Sequence, residues 1–328
     1  MAHSETPSFI PPQEQETPSN LEKWLSSELP KQYEEKAKIL NELGLLEILP
    51  ECGEIGIVGI DGKEYPLPSE EQIKEEILTN REVFETKMKQ GFTELEITPF
   101  ALPLERLIHT TKETILKHHK EEKLFGTMKN QEDESEPLEP LELNEDEPLF
   151  VWEEFKDADT NGTLAYYPKE FSENHQGFTK QELLDASRET PFPGFNVYFR
   201  EKDVNLREDR KRQMQENRRQ FDIGKSSEEY LKILQTQEEY QSEHGQTPED
   251  WFTLFLTHLK KTNQVIDDAQ GNGSDNLLIG SYSSASGNVG NVGWSRLFRQ
   301  SSLSGYGSEV QDSNSCVHTV VRIPPLNA

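Results

Sequence analysis

The sequence has few cysteines and no long hydrophobic run. Its two cysteines, Cys52 and Cys316, lie far apart and lack the paired spacing of a secreted disulfide framework or a zinc site. A reduced compartment is the simpler expectation. No stretch reaches the roughly 20 apolar residues of a membrane-spanning helix, and the chain does not open with a basic segment followed by an apolar run. The composition therefore predicts a cytoplasmic protein without membrane insertion.

Positive charge is also scarce. Lys and Arg number 34 against 61 Asp and Glu, which gives a formal net charge of -27. Because a nucleic acid would meet mostly like charge, this balance argues against nucleic acid as a partner. A basic cluster within residues 207–219 interrupts the acidic background, but the acids interspersed there favour a solvated surface over a phosphate contact.

Common catalytic motifs are missing as well. The sequence contains no P-loop, no GxSxG elbow, no dinucleotide-binding GxGxxG and no HExxH motif. The glycine-rich run GNVGNVG at residues 287–293 lacks the lysine and the strand-then-helix context that phosphate binding needs. We therefore expect neither an enzyme nor a bound cofactor.

One short segment resembles a calcium-binding loop. Asp157, Asp159 and Asn161 supply oxygen atoms at the first, third and fifth positions, and Gly162 occupies the sixth. Pro168 stands at the twelfth position, where a bidentate glutamate is needed, and the flanks have the pattern of strands. Two interpretations stay open, a weak calcium site and a turn stabilised by Asp and Asn side chains, and the missing ligand favours the turn.

Composition divides the chain into four parts. Residues 1–19 are rich in Pro, Gln, Glu and Ser and are expected to form a disordered tail. Residues 20–129 have helical periodicity and predict a helix-rich N-terminal domain with a small hairpin. Residues 130–148 are acidic and carry prolines, which is typical of a linker. Residues 149–328 contain more strand-forming residues, so the expected fold class is α+β.

Local signals place the main elements. The N-terminal part predicts helices at about 20–28 and 31–43, a hairpin turn at Asp61-Gly62, a helix from Ser69 to about Lys89, and another beyond Leu104. In the second part, LFVWEEF, TLAYYP and FNVYFRE predict strands. Helices are expected to begin near Ser226 and Thr247, where a hydroxyl side chain precedes acidic residues.

The composition changes beyond Lys261. No Lys or Met follows, Ser and Gly dominate, and Asp and Glu become sparse. Gly, Ser, Asn and Tyr at this density are typical of antibody-like contact surfaces, where small polar groups adapt and Tyr supplies rigid area. A flexible low-complexity tail is the alternative. Trp294, Leu303 and the alternating Val317, Thr319 and Val321 oppose it, because a floppy tail needs no buried anchors.

This C-terminal stretch resembles the variable proteins of diversity-generating retroelements from candidate-phylum bacteria. The matching segments are TPEDWFTLFLTHLKKTNQVIDD (247–268), GSYSSASG (280–287), WSR (294–296), RQ (299–300) and VHTVVRI (317–323). The resemblance departs at residues 316–318, where Cys-Val-His stands in place of the family's Gly-Val-Arg. It implies a C-type-lectin-like (formylglycine-generating-enzyme-like) fold for the C-terminal domain, with a variable region at about residues 280–322.

In that family a reverse transcriptase copies a template with errors at adenines, so that Asn codons change at solvent-facing positions. Such changes cannot produce Trp, Gln, Glu, Lys or Met. Trp294, Gln300, Glu309 and Gln311 must then belong to the scaffold, and the matching segments imply that Arg296, Arg299 and Arg322 do as well. The positions expected to vary and to contact ligand are Asn288, Asn291, Ser295, Leu297, Phe298, Ser302, Ser304, Tyr306, Val310, Asp312 and Ser315.

The sequence thus predicts a binding protein that displays a diversified surface to an unknown protein or other macromolecular ligand. Two alternatives remain open. One is an enzyme related to the sulfatase-modifying fold that uses Cys316 or acidic pocket residues. The other is a structural interaction protein in which the helical N-terminal domain binds the partner.

Overall fold

Helices and sheets both contribute to the residues that the computed structural model describes, namely 20–127, 137–202, 214–271 and 273–325. The predicted α+β class is confirmed. The helices are α1 (Asn20–Ser27), α2 (Leu29–Glu42), α3 (Glu70–Thr79), α4 (Arg81–Lys89), α5 (Leu104–Lys120), α6 (Lys180–Ala186), α7 (Ser227–Thr236) and α8 (Pro248–Thr262). The expected tail, part of the expected linker and most of the basic cluster lie outside the described residues.

The strands form four sheets within these ranges. They are β1 (Glu47–Ile48), β2 (Ile55–Val58), β3 (Glu64–Pro66), β4 (Phe92–Thr98), β5 (Leu149–Val151), β6 (Leu164–Tyr166), β7 (Asn196–Glu201), β8 (Met214–Gln215), β9 (Arg218–Arg219), β10 (His244–Gly245), β11 (Asp275–Leu277), β12 (Ser281–Ser283), β13 (Asn288–Ser295), β14 (Gln300–Gly307), β15 (Ser315–Cys316) and β16 (Thr319–Ile323).

Capping signals fix the starts of several helices. The Ser69 hydroxyl accepts a hydrogen bond from the Gln72 amide, and the Gln72 side chain accepts one from the Ser69 amide. Equivalent pairs open α7 at Ser226 and α8 at Thr247. The predicted helix 69–89 is interrupted at Asn80, whose side chain donates to the Glu76 carbonyl. An Asn side chain that binds a main-chain carbonyl competes with the main-chain amides that would bind it in a helix, so α3 ends and α4 begins there.

The predicted hairpin is confirmed as β2 and β3, which extend into a small sheet with β1. Gly62 lies at a φ of +72°, where a Cβ would be strained. An Asp61 carboxylate oxygen accepts the Lys63 amide and holds the turn.

A second sheet joins the two parts that the sequence predicts as domains. Its strand order is β10-β16-β7-β4, so β4 from the helical part pairs with β7. One hydrophobic core extends from Leu21 to Ile323, and Trp24 packs edge-on against Phe199 with 4.9 Å between ring centroids. The domain boundaries stay a prediction, but the helical part and the sheet-rich part share this core.

Residues 137–148, the described part of the expected linker, are held to both parts. The Leu141 amide donates to the Leu124 carbonyl after α5, and the Asn144 amide donates to the Arg299 carbonyl before β14. This segment is therefore a packed strap rather than a free connector, because its backbone groups find partners on either side.

Charged groups are buried where the helices meet this second sheet. Each of the carboxylates Glu96 and Glu243 has two cationic donors within 2.9 Å. The donors are Lys36 and Arg200 for Glu96, and Lys87 and Arg218 for Glu243. Burial alone would raise the pKa of each carboxyl, but the cations hold both pKa values below the ordinary value.

The third sheet carries the Ser- and Gly-rich stretch. Strands β13 and β14 are paired antiparallel along their whole length. β11 and β12 lie along the other edge of β13, and β5 runs parallel to β14.

Among the described helices, none combines the length and the apolar character needed to cross a membrane.

Candidate ligand-binding site

The two faces of the β13–β14 hairpin differ in character. The register pairs Asn291 with Ser304 and Gly293 with Ser302, and successive side chains alternate between faces. Val292, Trp294 and Leu303 are buried in the core. We call this the core face of the hairpin.

The opposite face borders a cavity of about 540 Å³, and we call it the cavity face. Six of the positions expected to vary line this cavity: Asn291, Ser295, Phe298, Ser302, Ser304 and Tyr306. The lining also includes Phe150 of β5, Asp275 of β11 and Asn314 before β15. A volume of this size falls in the usual range for ligand pockets, about 300–1,000 Å³.

The turn between β13 and β14 exposes two large apolar side chains. Leu297 is 73% exposed and Phe298 is 64% exposed. The backbone beneath them is fixed, because the Phe298 amide donates to the Ser295 hydroxyl and the Leu297 amide donates to the Gln270 side chain. Exposed apolar groups on an ordered turn are typical of an interaction surface.

The segment after β14 borders the same surface. Val310 is 41% exposed, and the Asp312 carboxylate accepts hydrogen bonds from the Asn314 amide and the Ser315 hydroxyl. Asn288, at the start of β13, is half-buried, and its amide lies 3.5 Å from the Glu154 carboxylate. Asn314 of this segment lines the cavity, whereas Asn288 alternates in step with Val292 and Trp294 and therefore points away from the cavity face.

Two predicted contact positions are not solvent-facing. Asn291 is 3% exposed and Ser315 is fully buried, and the Asn291 amide donates to the Ser315 hydroxyl at 3.2 Å. As solvent-facing positions both predictions are wrong, because Asn291 of β13 and Ser315 of β15 face each other across β11, which pairs with both strands. Asn291 still contributes to the inner part of the cavity lining.

Four of the expected scaffold residues are held by their side chains. Trp294 and Gln300 are buried. The Arg296 guanidinium binds the Asp268 carboxylate at 2.8 Å and Glu139 at the same distance. Arg322 lies over the Tyr167 ring, 5.1 Å from its centroid, and donates to the Tyr167 hydroxyl.

Arg299 acts differently from the other expected scaffold residues. Its side chain is exposed and lies 3.4 Å from Glu142. Its backbone takes a φ of +56°, and its carbonyl accepts the Asn144 amide at 2.8 Å. The structural contribution of Arg299 therefore comes from its main chain, which closes the turn against the strap.

An acidic group lies at the cavity. Burial, together with the nearby charges of Asp267, Asp312 and Asp268, raises the pKa of Asp275 to about 7. Asp267 accepts from the Trp251 indole at 2.7 Å and lies 2.9 Å from His318 Nε2, and Asp268 binds Arg296. Within the described part of the chain, the Asp275 carboxylate has no hydrogen-bond or ion-pair partner.

The loop that resembles a calcium site is a turn in the structure. Asp159 is buried, and its carboxylate binds the Lys180 ammonium at 2.7 Å and the Leu104 amide at 2.9 Å. The Asn161 side chain accepts the Thr163 amide, as in an Asx turn, and donates to Asp157. Over the described ranges, no cluster of three or more His, Cys, Asp or Glu side chains could hold a metal ion. The turn interpretation accounts for these contacts.

Cys316, the nucleophile of the enzyme alternative, is fully buried beside Phe221, in a cluster with Leu277 and Val317. A nucleophilic thiolate needs access to its substrate and an electropositive setting. Cys316 has the burial of a structural cysteine.

Sequence reasoning missed Asp275, Phe150 and Asn314 as lining residues. Asp275 is one of the few acids that follow Lys261, and this sparseness is a signal that could have singled it out. Phe150 lies far away in sequence and reaches the cavity only because β5 pairs with β14.

No protein-family model, curated protein or solved structure matches the chain.

Proposed function

We propose that this chain is a binding protein, a variable protein of the retroelement type, in which a C-type-lectin-like scaffold presents the cavity face and the hairpin turn to a macromolecular ligand. One observation carries the proposal. Within the same two strands, Val292 and Leu303 are buried on the core face, while Ser302, Ser304 and Tyr306 line the cavity on the opposite face.

The physical chemistry of this surface suits binding with changeable specificity. Its backbone is ordered before any ligand arrives, so less conformational entropy is lost on association. Ser side chains supply adaptable hydrogen bonds, and Tyr306 supplies rigid contact area. Leu297 and Phe298 stand exposed at the turn, so a ligand that covers them gains the free energy of burying apolar surface.

A pair of display libraries tests the proposal. The first library randomises Phe298, Ser302, Ser304 and Tyr306 on yeast-displayed full-length chain and is selected for binding to lysozyme as an unrelated probe. We expect most members to display at the wild-type level and binders to be enriched. The control library randomises Val292, Trp294 and Leu303, and we expect its display to collapse because these side chains fill the core.

Equal loss of display in the two libraries, or no enrichment from the first against lysozyme and further unrelated proteins, would contradict the proposal. The retroelement part is tested separately by sequencing the DNA that flanks the gene. A near-repeat of the codons for residues 280–322 that differs only at adenines, beside a reverse-transcriptase reading frame, is the expected result. Absence of both leaves a fixed binding domain and removes the diversification.

A further inference from the structure

The Asp275 carboxylate, which is half-buried, stands apart from the fully buried acids. Glu96 and Glu243 each bind two cations, and Asp268 binds Arg296. Asp267 has the Trp251 indole and His318 as partners. Buried carboxylates are almost always paired in this way, because removal from water disfavours an isolated charge. The described residues provide Asp275 with no such partner.

Its position makes this carboxylate available to a ligand. Asp275 lines the cavity together with Gly293 of β13. A Cβ on Gly293 would lie 2.4 Å from Asp275 Oδ1, so the carboxylate lies directly against the glycine backbone. The glycine thus makes room for the carboxylate itself, whose place at the cavity any larger side chain would take.

The electrostatic surroundings of Asp275 favour a positive group. The charged and titratable groups near it or on the same cavity are Glu147, Asp267, Asp268, Arg296, Tyr306, Asp312 and His318. The Arg296 guanidinium is already bound by Asp268 and Glu139, and His318 by Asp267. The remaining potential at the cavity is negative, so an arriving cation would find attraction from several acids at once.

Aromatic residues narrow the choice of cation. Phe150, Phe298 and Tyr306 line the cavity, and aromatic rings attract organic cations while packing against an aliphatic stem. A bare metal ion does not suit this lining, because it needs several oxygen or nitrogen ligands and no group of three metal-binding side chains occurs within the described ranges.

We infer that the cavity receives an organic cation, an ammonium or guanidinium on an aliphatic stem, with Asp275 as its counter-ion. The inference rests on the proposed function, since it names the chemical class of ligand for the same surface. The cation has two possible sources, a lysine or arginine side chain of a protein partner and a free small amine. Both share the chemistry that Asp275 and the aromatic residues recognise.

Binding of such a cation is linked to proton release. Only the ionised carboxylate attracts the cation, and burial beside other acids places the pKa of Asp275 at about 7 in the free chain. Lowering the pH from about 8 to about 6 should therefore weaken binding by roughly tenfold, since most Asp275 is then protonated. A bound cation should in turn lower the pKa of this carboxyl.

The test follows the carboxyl carbon of Asp275 by NMR in the full chain labelled with ¹³C-Asp, with Asp275→Asn to assign its signal. The probes are n-butylammonium and its uncharged counterpart n-pentanol, then acetyl-Gly-Lys-Gly-amide and the same peptide with norleucine in place of lysine. We expect both cations to lower the pKa of Asp275 by more than one unit, and both neutral probes to leave it unchanged. Tighter binding of the lysine peptide than of n-butylammonium assigns the cation to a protein, and equal affinity assigns it to a free amine.

Asp275→Asn should abolish the binding and its pH dependence, whereas Asp146→Asn, an equal change of charge at an exposed site, should preserve both. The inference is overturned if saturating cation leaves the pKa of Asp275 unchanged, or if Asp275→Asn binds the cations as well as the wild type does. Failure here is distinct from failure of the proposed function. Library binders that lack a cationic contact and tolerate Asp275→Asn would keep the diversified surface and remove the cation site.

Discussion

The core face and the cavity face of the β13–β14 hairpin are formed by alternate residues of the same two strands, but they perform different tasks. On the core face, Trp294 and Leu303 are buried among side chains from both halves of the chain. On the cavity face, Ser302 and Ser304 are half-buried and border open space. The comparison teaches that the alternation of a strand can separate stability from recognition within a few residues.

Replacement of a core-face leucine should have the largest effect. Leu303→Ala removes a fully buried side chain and leaves a cavity, so we expect the free energy of unfolding to fall by about 3 kcal/mol. The adjacent change Ser302→Ala lies on the cavity face and should alter it by less than about 0.5 kcal/mol. Urea denaturation of both variants measures the difference, and similar losses would break the comparison between the faces.

The pH dependence of stability should identify the unpaired carboxylate. The pKa of Asp275 in the folded chain, about 7, lies above its ordinary value of 3.8. The folded state therefore holds this proton more tightly, and the stability that it contributes at low pH is lost as the pH rises through about 7. Relative to the wild type, Asp275→Asn should gain free energy of unfolding as the pH rises from about 4 to about 8, because the asparagine has no proton to lose.

Denaturation of the wild type, Asp275→Asn and the control Asp146→Asn across this pH range gives the answer. If the difference between the wild type and Asp275→Asn stays constant with pH, Asp275 is not the perturbed group. The control is expected to follow the wild type at every pH.

A smaller effect is expected at the glycine of the cavity face. An added methyl group at Gly293 would lie 2.4 Å from Asp275 Oδ1 and 2.9 Å from the Asp267 carbonyl oxygen. Because the main-chain oxygen cannot move easily, Gly293→Ala should lower the free energy of unfolding by about 1–2 kcal/mol. Gly290→Ala on the core face, where the nearest atom lies 3.3 Å away on a leucine side chain, should cost less. A thermal melt of each variant compares them, and the reverse order would contradict the geometry.

The smallest effect on stability is expected at the turn. Phe298 is 64% exposed, so Phe298→Ala should change the free energy of unfolding by less than about 0.5 kcal/mol. In a binder selected from a library that keeps Phe298, the same substitution should weaken binding by at least about tenfold, as for an apolar anchor at an interface. Calorimetry for stability and surface plasmon resonance for binding separate the two quantities. A large loss of stability with unchanged binding would assign Phe298 to the scaffold.

The sequence predicts this molecule best where the cause is local. The helix starts at Ser69, Ser226 and Thr247 follow from side chains three residues apart, which a sequence shows directly. The pairing of β4 with β7 across about a hundred residues leaves no such trace, so the shared core between the two halves was not foreseen.

The site shows the same limit. Residue type and alternation place Ser302, Ser304 and Tyr306 on the cavity. Asn291 and Ser315 have residue types that fit variation equally well, yet they face each other across β11 and are both buried. Nothing in a list of substitutable residue types indicates which neighbour will cover them. Asp275 was missed because what distinguishes it is the absence of an ion-pair or hydrogen-bond partner within the described residues, and that depends on the packing around it.

The anchoring of the hairpin turn has a combinatorial consequence. Arg296 is clamped by two carboxylates, and the Arg299 carbonyl is bound by the strap, so the main chain at residues 297–298 is held from both ends. We therefore expect an exchange of Leu297 to leave the path of the main chain at Phe298 unchanged, and the reverse as well. The number of distinct surfaces that this turn can offer is therefore the product, not the sum, of the choices at each position.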